Sequence, residues 1–544
     1  MTDYCIGIDT GGTFTDAVLI DRASGDIVTW AKEATTHHDL GIGVGRALEG
    51  LLAQNISPGD VRQLAVSTTL ATNAIVEGRG ARVGLFVFGY VRHFKLPVTA
   101  NIFLKGGHTI TGEEDEPLDI EGLVDTIQGL KNEVDSYAVC GAMAIKNPAH
   151  ELVAEEAISM LDPGKPVFCS HRVSDHPGMR ARAATACLHA KLMPLMVGFL
   201  SSIQLSMLKV KLECPVTIIC GNGRGATLDE AVERAAITMA SGPAATAKFG
   251  STAGVPTALV VDVGGTTTDV CMIRDSRPLL SEEGCIIGRW QTHVEAIDMY
   301  TAGGGGDSHA VCSPDGGVTL ETNRVQPLAM TPELPDPGKW LGCGLRDSMV
   351  LPVAGLKDDV IQDDEILRHL HNSGPASPET LAASTSLSGV VLEKRLEKLV
   401  YLQQVKMAGF TPTDALHVLG RLDIGNRTAA ESGAAAMAGA LEMTPEHFCR
   451  LVIEAAEQTI ENIILDYLGR RIWPDKQAAP FLNRRDNELF SLQFSLKLPI
   501  IGIGAAARSF LPGVARRLQT TVHFPDHFEV GNAIGAAMIG MEEL

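Results

Sequence analysis

DTGGTFTD, Asp9 to Asp16, recurs far downstream as DVGGTTTD, Asp262 to Asp269, with six of the eight positions identical. Each copy is preceded by an apolar run, YCIGI or ALVV, and followed by another, AVLI or VCMI. That pattern predicts a strand, a tight glycine turn and a returning strand, twice. Paired glycines let a turn backbone approach a ligand closely, threonine hydroxyls add donors, and adjacent N–H groups form a concavity that suits anions. Gly11, Gly12, Thr13 and Thr15 in the first copy, and Gly264, Gly265, Thr266 and Thr267 in the second, are therefore candidate phosphate-binding residues. Asp9 and Asp262 close the first strands as acceptor-only groups, placed to hold a magnesium ion or its waters, and are the candidate catalytic residues. A glycine-rich hairpin without a ligand is the competing reading, and the repetition weighs against it.

Working outward, the first loop is followed by a predicted strand near Ile27 to Lys32 and a helix from Asp39 to Gln54, with Leu40, Val44, Leu48, Leu51 and Leu52 on one face. A strand at Leu64 to Ser67, a helix at Leu70 to Val76 and a strand at Arg82 to Phe88 complete a βββαβαβ unit. The second loop opens the same meander: Ala258 to Val263, Thr267 to Arg274, then Gly284 to Gly288. A domain is thus duplicated, not a motif alone. EKRLEKL, Glu393 to Leu399, reads as a charge-paired amphipathic helix with a structural role. Pro332 to Ser388, rich in Pro, Ser and Asp, reads as a long surface excursion.

Composition bounds the rest. The 544 residues exceed one ordinary core, giving roughly two to four domains. No stretch has the roughly 18 uninterrupted apolar residues of a membrane span, and MTDYCIGIDT lacks the features of a secretory leader, so a cytoplasmic location is expected. The 11 cysteines show no CxxC pair and read as reduced thiols. A formal net charge of -20 argues against nucleic acid or an anionic membrane as partner. Any phosphate ligand must then be held by backbone amides and a metal ion.

The duplicated unit resembles the half-domain of the actin/hexokinase/heat-shock-chaperone ATPases. The expected fold is α/β, with duplicated actin-like (ribonuclease H-like) half-domains around a nucleotide cleft and a large insertion. The resemblance implies ATP and Mg2+ as cofactors. It places Gly304 and Gly305 of AGGGGDS near the phosphates, and makes Gly502, Gly504 and Ala505 an adenosine motif. VGNAIGAAM, Val530 to Met538, resembles the final interdomain helix. The expected segments are 1–91, first half-domain; 92–250, inserted substrate-facing region and connection; 251–330, start of the second half-domain; 331–410, helical or loop excursion; and 411–544, its remainder.

More narrowly, the chain resembles the hydantoinase A/5-oxoprolinase family in GTFTDAV at Gly12 to Val18, STTLATNAIVEGRG at Ser67 to Gly80, SGPAAT at Ser241 to Thr246, VVDVGGTTTDV at Val260 to Val270 and TPTDALHVLGRL at Thr411 to Leu422. SHRVSDHPGMRARAATACLHAKLMP, Ser170 to Pro194, is similar to a family region with serine-histidine before an arginine-rich helix. After Ser308 the chain departs from the long members and looks like a compact branch. The resemblance implies phosphorylation of a cyclic amide oxygen by ATP followed by ring opening, with a B-type subunit as partner. Ketone carboxylation and an ATPase switch acting on a protein partner stay open beside it, as does a homo-oligomer.

Several constellations remain. His37, His38 and Asp39 read either as a metal cluster or as a helix start with Asp39 as its cap. His171, Asp175 and His176 read as metal ligands or as surface groups. His108 in GGHT is a turn histidine or a substrate contact. Arg180 and Arg182 either grip a substrate carboxylate in two-point fashion or line a helix face.

Overall fold

The computed structural model describes residues 3–12, 14–36, 40–54, 56–76, 79–89, 94–281, 284–287, 290–312, 317–342, 347–472 and 492–543. The expectations for Thr13 and for His37, His38 and Asp39 lie outside the described residues. The chain divides into two compact units. One comprises Met1–Pro256, Cys271–Asp298 and Val530–Leu544, the other Thr257–Val270 and Met299–Glu529.

The first unit is built on a six-stranded sheet whose order is Gly225–Ala226, Val216–Ile219, Val61–Thr68, Tyr4–Thr10, Phe14–Asp21, Ile27–Ala34. The glycine turn reverses the chain so that Asp9 pairs with Asp16 and Thr10 with Thr15. Val61–Thr68 runs parallel beside it, pairing Asp9 with Ser67 and Thr10 with Thr68. Cys5, Ile6 and Ile8 are fully buried, as a strand covered on both faces requires. Leu40–Leu52 buries Val44, Leu48 and Leu51 of the stripe read from the sequence, with Ala47 beside them, while Leu40 and Leu52 are half-buried. Gly531–Glu542, made mostly of Gly, Ala and Ile, packs on the Tyr4–Thr10 and Val61–Thr68 strands and on the Ser241–Gly250 helix. Small side chains let its backbone approach the sheet closely.

The expected last strand of the βββαβαβ unit is corrected. Val83–Phe88 lies instead in a separate parallel sheet, ordered Ala100–Leu104, Val83–Phe88, Ser136–Gly141, Val167–Cys169. The place beside Val61–Thr68 is taken by Val216–Ile219. VGLFVF is buried at every position, so its pattern marks a central strand without saying of which sheet. Phe86, Phe88, Tyr137, Leu123 and Ile158 form a core of their own around that sheet.

Met179–Lys209 is a 31-residue helix long and apolar enough, by length and composition, to cross a membrane, but 67% of its most apolar window is buried. It packs on Leu40–Leu52, Ser136–Gly141 and Val83–Phe88. Burial among these elements accounts for its apolar character.

In the second unit Ala258–Val263, Ile500–Ile503 and Val522–His523 are parallel neighbours. Thr267–Arg274 lies on the other side of Ala258–Val263, and both Arg277–Pro278 and Met299–Gly303 pair with it. This corrects the expected third meander strand at Gly284 to Gly288. Within it Ile286–Ile287 forms a two-stranded hairpin with Trp290–Gln291, and Gly288 lies outside the described residues. Pro332 to Ser388 is built from regular elements among its described residues. It holds the Met349–Pro352 strand and three short helices, and Val350, Ile366, Leu367, Leu370 and Leu381 share a core with Leu392, Leu396 and Leu399 of the Gly389–Tyr401 helix. Asp364 and Ser377 cap two of these helices, their side chains accepting from first-turn N–H groups. Among the described residues every cysteine is a free thiol.

Candidate nucleotide-binding site

The first loop is closed by the Gly11 N–H donating to the Phe14 carbonyl at 3.0 Å. Gly12 is exposed and Gly11 half-buried at the turn. Asp9 sits beneath them with 4% exposure. Its Oδ1 accepts from the Ser67 hydroxyl at 2.7 Å, and its Oδ2 lies 3.5 Å from the Asn532 amide nitrogen. Burial pushes the Asp9 carboxyl above its ordinary range, against these two donors and the Lys32 charge.

Three segments far apart in sequence meet at this loop. The Thr69 N–H donates to the Thr10 carbonyl at 3.1 Å, and Asn73 donates to Thr69 Oγ1 at 3.1 Å. Ser241 bridges to Thr68, accepting from its N–H at 3.0 Å and donating to its carbonyl at 2.8 Å. Gly242 follows so closely that an added Cβ would stand 3.4 Å from Asp9 Oδ1. Ser67, Asn73, Ser241 and Asn532 were not singled out from the sequence. Their signal was membership of the STTLATN, SGPAAT and GNAIG segments. Thr15 is placed differently from a ligand-facing residue: it is fully buried, with its hydroxyl 3.2 Å from that of Thr35.

The second loop repeats the turn, with the Gly264 N–H donating to the Thr267 carbonyl at 3.0 Å. The AGGGGDS segment folds onto it. Gly304 N–H reaches the Thr266 carbonyl at 3.1 Å, Gly306 N–H the Gly264 carbonyl at 3.1 Å, and Asp307 N–H the Gly265 carbonyl at 2.7 Å. A Cβ on Gly305 would stand 2.4 Å from the Gly264 carbonyl oxygen, so no larger residue fits. Thr413, of the TPTDA segment, ties in by donating from N–H and hydroxyl to the Gly306 carbonyl at 2.9 and 2.8 Å. Burial raises the Asp307 carboxyl, opposed by Arg324 at 3.3 Å.

Asp262 is 9% exposed at the end of its strand. Gly504 holds a left-handed φ of +93°, and a Cβ there would stand 2.2 Å from Asp262 Oδ1. Ala505 is exposed beside it, and Ala506 N–H donates to the Val263 carbonyl at 3.1 Å. Gly502 serves packing, because a Cβ would meet the Phe524 ring at 2.5 Å. In each unit, then, a carboxylate stands beneath a glycine turn cradled by a second small-residue segment. That arrangement, an acceptor-only carboxylate beneath a glycine turn, fits a nucleotide phosphate with its Mg2+.

The remaining predicted residues lie in the first unit. His108 is 5% exposed; its ring lies 4.4 Å from that of His150, tilted by 40°, and burial lowers its pKa, with the His150 charge adding and Glu114 opposing. Arg182 is fully buried and donates to Ser170 and to the carbonyls of Gly141, His176 and Pro177. Arg180 is exposed. The His176 ring stands 4.7 Å from His293 rather than beside His171.

This is an α/β fold of the actin-like kind. The chain superimposes on nucleotide-free acetone carboxylase with a TM-score of 0.68 at 17% identity, covering 99% of this chain and 70% of that one. It superimposes on the ATP-dependent caprolactamase from Pseudomonas jessenii with a TM-score of 0.63 at 21% identity, covering 98% and 70%. The chain belongs to the hydantoinase/oxoprolinase family: the profile of the family's N-terminal region matches residues 5–161, and the hydantoinase/oxoprolinase profile matches residues 182–479. Caprolactamase subunit alpha of Pseudomonas jessenii is 27% identical over 349 residues, 56% of this chain and 48% of that protein. The acetophenone carboxylase gamma subunit of Aromatoleum aromaticum is 27% identical over 350 residues, 56% and 47%. The chain spans about half the length of the curated relatives it matches.

Proposed function

We propose that this chain binds Mg-ATP at its two glycine turns and phosphorylates the carbonyl oxygen of a cyclic amide, such as a hydantoin or 5-oxoproline, so that water opens the ring. The observation that carries the reading is the pair of buried carboxylates, Asp9 and Asp262, each beneath a glycine turn that a second small-residue segment cradles. ATP supplies the phosphoryl group that makes a poor amide carbonyl electrophilic. The chain's own part is positioning and charge: loop N–H groups donate to phosphate oxygens, and Asp9 and Asp262 hold the metal or its waters. Ser67 and Asn532 keep Asp9 aimed, and Gly504 leaves room for Asp262. Of the three residues expected at the substrate, Arg180 is the exposed one, and we assign it to a polar or anionic ring.

The caprolactamase relative is named for hydrolysis of a cyclic amide and is one subunit of its enzyme, which supports this chemistry and a two-component assembly. The carboxylase relatives favour a second reading, carboxylation of a ketone. We place the chain in the cytoplasm. Calorimetric titration with a non-hydrolysable ATP analogue and magnesium should show one nucleotide bound per chain, and absence of binding would refute the ATPase reading. Phosphate release should rise with hydantoin or 5-oxoproline, with a B-type subunit added where turnover needs it. A response only to ketone with bicarbonate would select the carboxylase reading.

A further inference from the structure

A buried hydrogen-bond chain in the first unit takes no part in either glycine loop. Glu151 is fully buried. Its Oε1 accepts from the Gly141 N–H at 2.7 Å and the Ser170 hydroxyl at 2.5 Å, and its Oε2 accepts from the His171 N–H at 3.0 Å and pairs with His171 Nδ1 at 2.6 Å. Ser170 in turn accepts from Arg182 Nε at 3.2 Å. An ionised carboxylate out of water is costly unless paired and hydrogen-bonded. The guanidinium, one hydroxyl away and itself fully buried, answers that cost.

This chain sets the tautomer of His171. A carboxylate oxygen only accepts, so Nδ1 carries the proton and Nε2 holds the lone pair. Among the described residues Nε2 has no partner, and 16% of the side chain is exposed. A metal explains the cluster less well. Cys169 Sγ lies within 4.8 Å of the Glu151 and His171 ligand atoms, but both carboxylate oxygens are already engaged by donors. Burial also raises the Cys169 thiol well above its ordinary range, against the thiolate a metal needs.

We propose that His171 is the proton-transfer residue for ring opening, with Glu151, Ser170 and Arg182 as positioning residues. This rests on the cyclic-amide reading. Water adds across the C=N bond of the O-phosphorylated ring: its oxygen bonds to the carbon while Nε2 takes one proton. The π pair moves to the ring nitrogen, which then collects that proton from the imidazolium. His171 ends neutral, and the adduct carries both hydrogens of the water. The ring opens as the new hydroxyl gives its proton to the nitrogen and the C–N bond breaks, leaving an amine and an acyl phosphate whose hydrolysis releases carboxylate and phosphate.

The test is hydantoin- or 5-oxoproline-stimulated phosphate release by the full chain, with the B-type subunit where turnover needs it. His171→Ala should lower kcat about 10²–10⁴-fold, and added imidazole should restore part of the loss. His171→Gln, which can still donate to Glu151, should lose turnover while keeping the wild-type melting temperature. Ser170→Ala should lower kcat at unchanged KM. Wild-type turnover in His171→Ala, or a loss that imidazole does not relieve, overturns the assignment. If the wild-type chain answers to no cyclic amide, the functional reading itself falls, and the role of His171 falls with it.

Discussion

Asp9 and Asp262 occupy equivalent places in the repeat, yet different neighbours constrain them. Asp9 is gripped by hydrogen bonds from Ser67 and Asn532, whereas Asp262 is bordered by a glycine that leaves it room. Neither holds up an apolar core. Asp9→Ala and Asp262→Ala should each abolish ATP turnover with melting temperatures near wild type, and near wild-type turnover in a magnesium titration would remove that aspartate from the metal. Gly504→Ala should act indirectly on Asp262. The left-handed φ and the 2.2 Å approach together require the backbone or the carboxylate to shift, at about 1–3 kcal/mol. A parallel loss of stability and turnover is expected in thermal melts and phosphate-release assays; an unchanged melt would show that the loop yields freely.

The Pro412–Val418 helix shows how one element joins packing to the site. Thr411 and Asp414 form its capping box, and Thr413 reaches the Gly306 carbonyl. The Asp414 carboxylate accepts from Leu328 N–H, Ala329 N–H, Thr411 N–H and the Thr411 hydroxyl. Asp414→Asn turns an amide NH2 toward some of those donors, so it should lower the urea midpoint by a destabilisation of about 2–3 kcal/mol. One turn beyond Thr413, His417 is fully buried and neither ring nitrogen has a hydrogen-bond partner among the described residues. Burial lowers its pKa, with Asp423 opposing. Replacing an unpaired buried polar group by an apolar one removes a desolvation penalty, so His417→Leu should be neutral or stabilising by about 1–3 kcal/mol. A fall in the urea midpoint would reveal that the imidazole has a role to keep.

At the scale of the molecule, the buried histidine of the long helix gives stability a pH dependence. His189 accepts the Ala236 N–H on Nδ1 at 3.2 Å, which requires the neutral ring, and burial pushes its pKa down from 6.5 to about 3. Above pH 6.5 both folded and unfolded chains leave it neutral. Below, the unfolded chain takes a proton that the folded chain refuses, so this contribution to stability is lost as pH falls from 6.5 toward about 3. The slope approaches about 1.4 kcal/mol per pH unit. Urea melts at pH 7 and pH 5 should show a smaller acid loss in His189→Leu than in wild type. Equal losses would assign the slope to other groups.

The repeated DxGGTxTD hairpins, the stripe of Leu40–Leu52, the Leu70–Val76 helix and the family segments were all legible in the sequence, because turn chemistry and hydrophobic period are written in neighbouring residues. What those patterns could not say is which distant element meets which. Asn532 reaches Asp9 across 523 positions of chain, and Val216–Ile219 displaces Val83–Phe88 from the first sheet because either run can serve as a buried central strand. Thr15 turns inward, though in sequence it read as ligand-facing, and Arg182, open there between a substrate contact and a helix face, is buried beside Ser170. The sequence by itself determined the duplicated glycine-turn scaffold and its family. The tertiary structure decided which polar side chains are consumed in holding that scaffold and which keep a free edge, because desolvation and hydrogen-bond partnership exist only once the chain is packed.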